Sequence, residues 1–354
     1  MELEDLRKKI DRIDSEIIQL LSDRMEIAVR TKHLKKTVSD PDREKELLSK
    51  IISRSRGLLS PAFSEKLYKE ILLESKSLQQ QDLRLVGFQG EHGAYSEVAA
   101  LSYDKNLVPI PCDAFDEVFK AVSNGQLDLA ILPVENSIAG PVTQVCDLLM
   151  ESDLKIIAEI KQPIHHCLLA LPDSDYREIK VVYSHPQALA QCKGFISRNT
   201  LESRQFYDTA GSAMMIAKDR PAGAAAIASS LCAELYGLEV LKENIEDHNS
   251  NTTRFLVLSK DASVSSKTEG NKCTVVFSTA HKTGALFEIL KLFYESKINL
   301  TKIESRPVTK DPGKFAFLVD FQGSDRNPIV QTLLKSIQKE TTMFRFLGCY
   351  KEAV

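Results

Sequence analysis

The sequence predicts a multidomain protein: an all-α segment of three helices, an α/β segment, and a small α+β segment of ferredoxin-like order. Three observations carry this. Residues 1–81 keep a helical spacing of apolar side chains and hold almost no glycine, Gly57 lying in a connection. Residues 83–260 alternate short apolar strands with amphipathic helices. Residues 271–354 read βαββαβ. A chain of 354 residues is long enough for two or three domains with cores of their own.

In the first segment Leu3, Leu6, Ile10, Ile13, Ile17 and Leu20 recur at steps of three and four, a single helix stripe expected to be buried. "SDPDREKELLSKII" restarts a helix with Asp40 as N-cap and Pro41 in its first turn, and "SPAFSEKLYKEILLESKSLQQQ" gives the third. In the second segment "LRLVGF", "LVPIP", "LDLAILPV", "IKVVYS" and "RFLVLS" are strands, and "AFDEVFKAVSNG", "PVTQVCDLLMES", "PQALAQCKGFIS" and "TAGSAMMIAKD" are helices. "PIHHCLLALP" reads as a further strand that carries His165 and His166. "DASVSSKTEGNK" is a polar linker to the last segment.

Composition narrows the function. With 43% hydrophobic and 27% charged residues, a net charge of −3 and a pI near 6.2, the chain has no nucleic-acid signature. Seven scattered cysteines without a C-x-x-C pair indicate reduced thiols rather than disulfides or a zinc site. The charged start is no signal peptide, and no apolar run is long enough to span a bilayer, so a cytoplasmic protein that binds no membrane is expected.

Continued past Leu20, the first stripe is occupied by Arg24, Ala28, Thr31 and Lys35. In the third helix Leu67 and Ile71 are followed at i+4 by Ser75 and Gln79. Arg7 borders the first stripe, and Arg43 stands in the first turn of helix two, where a cation opposes the macrodipole. One reading is ordinary pairing with Glu44, Glu46 or Glu74, which contributes little. The other is a pocket for a dianion, because cations and hydrogen-bonding groups share apolar faces that hold no acid.

Four polar loops mark the α/β segment. Gly90 and Gly93 in "GFQGEHGAYSE" would let backbone N–H groups approach an anion, with Ser96 at a helix start. Glu135, Asn136 and Ser137 close one strand, Ser184, His185 and Gln187 another, and "NTTRF" opens the last. Each alone is an ordinary cap or turn. Together, at the ends of strands, they suggest one cleft.

These residues carry three resemblances. "LRKKIDRIDSEIIQLLSDRMEIA", "KHLKK", "DPDRE" and "ESKSLQQQ" resemble the all-helical chorismate mutases, intertwined three-helix dimers. The resemblance implies that Arg7 (from a partner subunit), Arg24 and Arg43 clamp the two carboxylates of chorismate. Lys35 and Gln79 would bond the ether oxygen, and Asp40, Glu44 and Ser75 would contact the ring or its hydroxyl. A Claisen rearrangement needs no nucleophile, only a held conformer and stabilised charge. The connection after "KHLKK" is shorter than in some relatives.

"GAYSE", "PVENS", "SHPQALAQC", "DTAG", "AAIAS" and "NTTRF" resemble prephenate dehydratases and, equally, the plant-type arogenate dehydratases. That implies two α/β lobes of periplasmic-binding-protein type around an active site. Thr253 would be the central catalytic residue, relaying or positioning a proton, with Glu135, Asn136 and Gln187 beside it. Ser96, Ser137, Ser184, His185, Arg254 and Phe255 would line the substrate. Ala94 stands where many bacterial relatives have threonine.

"HKTGALFEILKLF" and "NLTKIESRPV" resemble ACT regulatory domains, which implies L-phenylalanine as effector at Gly284, Ala285, Leu286, Asn299, Glu304, Ser305 and Arg306. Phe287 replaces a common valine there. The order of the three segments is similar to that of bifunctional chorismate mutase/prephenate dehydratases, implying a homodimer or homotetramer, feedback inhibition and no metal or organic cofactor. A ligand-sensing regulator is the rival class, but the N-terminal helices lack a helix-turn-helix and a basic face.

Overall fold

The computed structural model describes residues 3–34, 40–172, 174–261, 269–308 and 315–353. The chain forms two compact units, Met1–Leu85 with Gly125–Leu127, and the remainder.

The first unit is three helices: α1 (Leu3–Arg30), α2 (Pro41–Arg54) and α3 (Pro61–Gln80). Asp40 caps α2 by accepting from the Arg43 N–H, Ser60 caps α3 from Phe63, and Pro41 and Pro61 occupy first-turn positions. The α1 stripe does not enter a core of its own chain. Leu6 is 42% exposed, Ile10 56%, Ile13 50% and Leu20 67%. Among the described residues of 3–80 only Val29, Ser64, Ile71, Ser75 and Gln79 are buried, and three of those five are polar. A single 28-residue helix has no partner within one chain long enough to cover its stripe.

The second unit opens with a mixed sheet in the order β2-β1-β3-β11-β5, with β4 on β3. Its elements are β1 (Arg84–Gln89), α4 (Tyr95–Tyr103), β2 (Leu107–Cys112), α5 (Phe115–Ser123), β3 (Leu129–Asn136), β4 (Gly140–Pro141), α6 (Thr143–Glu151) and β5 (Lys155–Pro163). The chain then crosses into a second lobe: β6 (Cys167–Ala170), β7 (Val181–Ser184), α7 (Pro186–Gln191), α8 (Lys193–Arg198), β8 (Glu202–Gln205), α9 (Thr209–Asp219), β9 (Ala224–Ala228), α10 (Leu231–Tyr236) and β10 (Glu239–Lys242). Its sheet runs β10-β6-β9-β7-β8. β11 (Thr252–Ser259) returns to the first lobe and lies antiparallel between β3 and β5.

The lobes are therefore joined by two crossovers, 164–166 and 243–251. This corrects the reading of "PIHHCLLALP" as one strand: β5 ends at Pro163, β6 begins at Cys167, and His165 and His166 lie in the crossover. β6 and β9 are buried runs without alternation, the pattern of strands covered on both faces.

The C-terminal part continues β12 (Lys272–Ser278), α11 (Ala285–Glu295), β13 (Leu300–Pro307), β14 (Phe315–Gln322), α12 (Pro328–Glu340) and β15 (Met343–Tyr350), with an antiparallel sheet in the order β13-β14-β12-β15. Phe277, Phe293, Phe321, Ile289 and Ile337 fill its core. It packs on the first lobe through β15 and β5. There Gly348 meets the Ile156 carbonyl so closely that a Cβ would overlap it, and Lys155 Nζ donates to the Phe346 carbonyl at 2.9 Å.

Candidate active sites

In the helical unit α1 and α3 bring Arg24, Ser75 and Gln79 together. The Arg24 guanidinium donates to Ser75 Oγ, which in turn donates to the Ile71 carbonyl at 2.7 Å. Gln79 Nε2 donates to the Ala28 carbonyl at 2.6 Å and to Thr31 Oγ1 at 3.1 Å. Burial holds the Arg24 pKa below its ordinary value, so its charge is only partly solvated. At the start of α2, Asp40 is committed to its cap. Exposed Arg43 pairs with Glu46 at 2.9 Å, and Glu44 with Lys76 at 2.7 Å. Arg7 is exposed on the same continuous helix as Arg24 and, at 1.5 Å per residue, about 25 Å along its axis. One chain cannot bring both to one small ligand. Lys35 lies outside the described residues.

In the two-lobed part the antiparallel register sets Thr253 opposite Asn136 and Arg254 opposite Glu135. Asn136 Oδ1 accepts from the N–H groups of Ile138 (3.1 Å) and Ala139 (2.9 Å), which fixes its amide. Its Nδ2 therefore donates to Thr253 Oγ1 at 2.9 Å and to Asn251 Oδ1 at 2.8 Å. Ser137 ties the same strands, accepting from the Thr252 N–H at 3.0 Å. Beside them a cavity of about 340 Å³ opens between the lobes, lined by Ile138, Ala139, Gln187, Gln191, Asp247 and Asn251 among others. His185 caps α7 by accepting from the Gln187 N–H at 3.3 Å, and Gln187 faces the cavity.

Neighbouring strand residues point to opposite faces, and this redirects two predicted residues. Arg254 does not reach the cleft. It is 11% exposed and inserts into the C-terminal part, 2.7 Å from Glu159 Oε2, 2.6 Å from Asp320 Oδ2 and 3.1 Å from the Tyr350 hydroxyl. Burial opposes its charge, but Asp320, Tyr350 and Glu159 hold its pKa above the ordinary value. Glu135 shares that face, bonded by Lys302 at 3.0 Å. Lys272 adds a 2.9 Å bond to Glu159.

Other predicted residues are structural in this chain. Ser184 is fully buried and donates to the Ile227 carbonyl. Phe255 is core. Ser96 is buried in the first turn of α4. The glycine turn before α4 is no free anion nest: the Gly93 N–H goes to Glu97 Oε2 at 2.6 Å and the Gly90 N–H to the Cys112 carbonyl at 3.1 Å. Gly93 is required because φ is +89° and a Cβ would strike Cys232.

The contact between the lobes also holds polar residues that the sequence does not single out. Asp208, the N-cap of α9, accepts from the Gly211 N–H, and burial raises its pKa. The Tyr207 hydroxyl donates to Glu91 across the lobes at 2.9 Å. Gln191 stands inside the quoted "SHPQALAQC", and Asp208 opens "DTAG". A polar residue retained at a helix end is the only signal either offered.

In the C-terminal part Gly284, with φ +83°, starts α11, and Gly284, Ala285 and Leu286 line a cavity of about 320 Å³ with His281, Phe315 and Phe317. Asn299, Glu304, Ser305 and Arg306 do not line it. Arg306 forms a forked pair with Asp147 of α6 at 2.6 and 2.9 Å. Among the described residues no group of three or more His, Cys, Asp or Glu is placed to hold a metal, and no helix is long and apolar enough to cross a membrane.

Comparison with known proteins agrees with this division. The family profile for chorismate mutase type II matches residues 6–80, and that for prephenate dehydratase matches residues 86–263. The bifunctional chorismate mutase/prephenate dehydratase of Aquifex aeolicus is 35% identical over 364 residues, covering 100% of this chain and 99% of the relative. Arogenate dehydratase 5 of Arabidopsis thaliana is 41% identical over 283 residues, covering 75% and 67%. The crystal structure of prephenate dehydratase in complex with L-Phe from Arthrobacter aurescens is 33% identical with a TM-score of 0.70, covering 76% of this chain and 90% of that one. From end to end, this chain belongs to the bifunctional chorismate mutase/prephenate dehydratase family.

Proposed function

We propose that the helical unit rearranges chorismate to prephenate and that the two-lobed part converts prephenate to phenylpyruvate. The observation that carries the second step is the fixed Asn136–Thr253 hydrogen bond beside a cavity between the lobes. In that reaction the carboxylate C–C bond breaks to release CO2, its electron pair aromatises the ring, and the C–O bond to the ring hydroxyl breaks. The hydroxyl leaves as water once it receives a proton. Thr253 Oγ1 accepts from Asn136, so its own proton points elsewhere. An unperturbed threonine is a weak acid, which makes it a donor that orients or relays rather than the proton's source.

The mutase site is completed by a second copy of the chain. Arg24, Ser75 and Gln79 form one wall, and Arg7 of another copy supplies the charge that the same chain holds about 25 Å away. The exposed α1 stripe is the surface that such a pairing buries. The C-terminal βαββαβ part serves as an ACT-type sensor of L-phenylalanine. The turn at Gly284 provides backbone donors, and Asn299 and Glu304–Arg306 join from a neighbouring domain. Arogenate is the second candidate substrate of the cleft, favoured by Ala94 and by the 41% identity to an arogenate dehydratase.

One time course decides among these. Chorismate is added to the purified protein and the products are followed by NMR. Transient prephenate followed by phenylpyruvate is expected. Prephenate that only accumulates moves the cleft to arogenate, and unchanged chorismate refutes the mutase site.

A further inference from the structure

His166 takes no part in the chemistry described above, yet it is 2% exposed in the crossover between the lobes. Its Nε2 lies 2.8 Å from Gln191 Oε1 and its Nδ1 2.8 Å from the Tyr95 hydroxyl. Gln191 Oε1 also accepts from Asn251 Nδ2 at 3.1 Å, and Asn251 Oδ1 accepts from Asn136 Nδ2. The side chains Tyr95, His166, Gln191, Asn251, Asn136 and Thr253 thus form one unbroken chain of hydrogen bonds. It touches both lobes and both crossovers.

Every proton in this chain except those at its two ends is determined. Backbone N–H groups fix the Asn136 amide, so Asn251 must present its oxygen to Asn136 and its nitrogen to Gln191. Gln191 must then present its oxygen to Asn251. An amide oxygen accepts only, so His166 Nε2 must carry a proton and donate. Burial keeps the ring neutral, so Nδ1 carries no proton; the Tyr95 hydroxyl beside it donates to the His165 carbonyl at 2.7 Å and has one proton for the two acceptors. Glu246 anchors the crossover, accepting from the His166 N–H at 2.9 Å and bonding His165 Nδ1 at 2.8 Å.

We propose that His166 is a positioning residue for the dehydratase step: its Nε2–H locks the Gln191 oxygen, so that Gln191 and Asn251, which line the cavity, present one fixed pattern of donors and acceptors to the substrate. Without that donor the Gln191 amide is free to turn at the cavity wall. Asn136 and Thr253 keep their orientation, because backbone N–H groups hold the Asn136 amide. The inference rests on the dehydratase reading of the cleft.

The test uses the full chain, with the thermal unfolding of each variant as the control for folding. His166→Leu is expected to lower dehydratase kcat about 10- to 100-fold, the scale of a misplaced catalytic group, with KM nearly unchanged. His166→Gln, whose amide can donate in place of Nε2, restores most of kcat. Asn251→Asp places an acceptor opposite the Gln191 oxygen with no change in volume, forces the Gln191 amide to turn, and is expected to reproduce the kcat loss even if His166→Leu folds poorly. Equal losses in the Leu and Gln variants, or wild-type kcat in Asn251→Asp, overturn the proposal. If the wild-type chain turns over neither prephenate nor arogenate, the dehydratase reading falls and this inference with it.

Discussion

Residues 3–80 bury five described side chains, three of them polar, while the cleft of the two-lobed part is sealed by a network whose members almost all have partners in the same chain. In the helical unit the apolar surface is on the outside and two of the predicted cations, Arg7 and Arg43, are exposed. In the cleft the polar groups lie inside and the apolar surface is spent on a continuous core. On the proposed functions, the contrast separates a site that one chain finishes alone from one that it supplies only in part. Two activities on one polypeptide need not share a minimal working assembly.

The largest test of this contrast is loss of each site in turn. Thr253→Val should lower dehydratase kcat by about 10²–10³, as for removal of one positioned catalytic donor, and leave mutase turnover untouched. Arg24→Ala should lower mutase kcat/KM about 100-fold, since a charged hydrogen bond to substrate is worth about 1.5–3 kcal/mol, and spare the dehydratase. Loss of both activities in either variant would mean that the parts do not work separately.

Next is Ile13→Asp on the exposed stripe. Sedimentation should show weakened self-association, and mutase activity should become dependent on protein concentration while dehydratase activity per chain stays constant. A variant that remains fully associated and active would place the subunit contact elsewhere.

Arg254→Met probes stability. It leaves Asp320 without its cation and Glu159 with Lys272 alone, and should cost about 3–5 kcal/mol, the usual consequence of breaking a buried pair from one side, read by denaturant unfolding. The smallest effect is on pH. Burial opposes the Glu159 charge, but Arg254 and Lys272 together hold its pKa below the ordinary 4.5. A carboxylate lowered on folding stabilises the fold above its unfolded pKa and loses that contribution as pH falls through the folded value. The melting temperature should therefore decline as pH drops below about 4.5, and a flat profile there would show that Glu159 contributes nothing.

The sequence made some of this legible and not the rest, for definite reasons. The caps at Asp40 and Ser60 and the βαββαβ order are local patterns, carried by residues within a turn or a strand of one another. That Asn136 and Thr253 stand at strand ends was legible because motif and strand ends coincide; their pairing rests on register. The destination of Arg254 was not, since Glu159 and Tyr350 lie 95 and 96 residues away and which face a strand residue takes depends on register. His166 was hidden for a related reason. Its apolar neighbours read as one strand, and only the two sheets reveal that the chain changes lobe there.

Gly348 carries a last consequence. With no room for a methyl group against the Ile156 carbonyl, the seam between β15 and β5 closes only because position 348 has no side chain. Gly348→Ala would act as a shim one carbon thick. It would spread the seam that holds Lys155 to the Phe346 carbonyl, and it would tilt the platform on which Asp320 and Tyr350 meet Arg254, one residue from Thr253. The thickness of a single methyl group thus sets how tightly the C-terminal part grips the strand that carries Thr253.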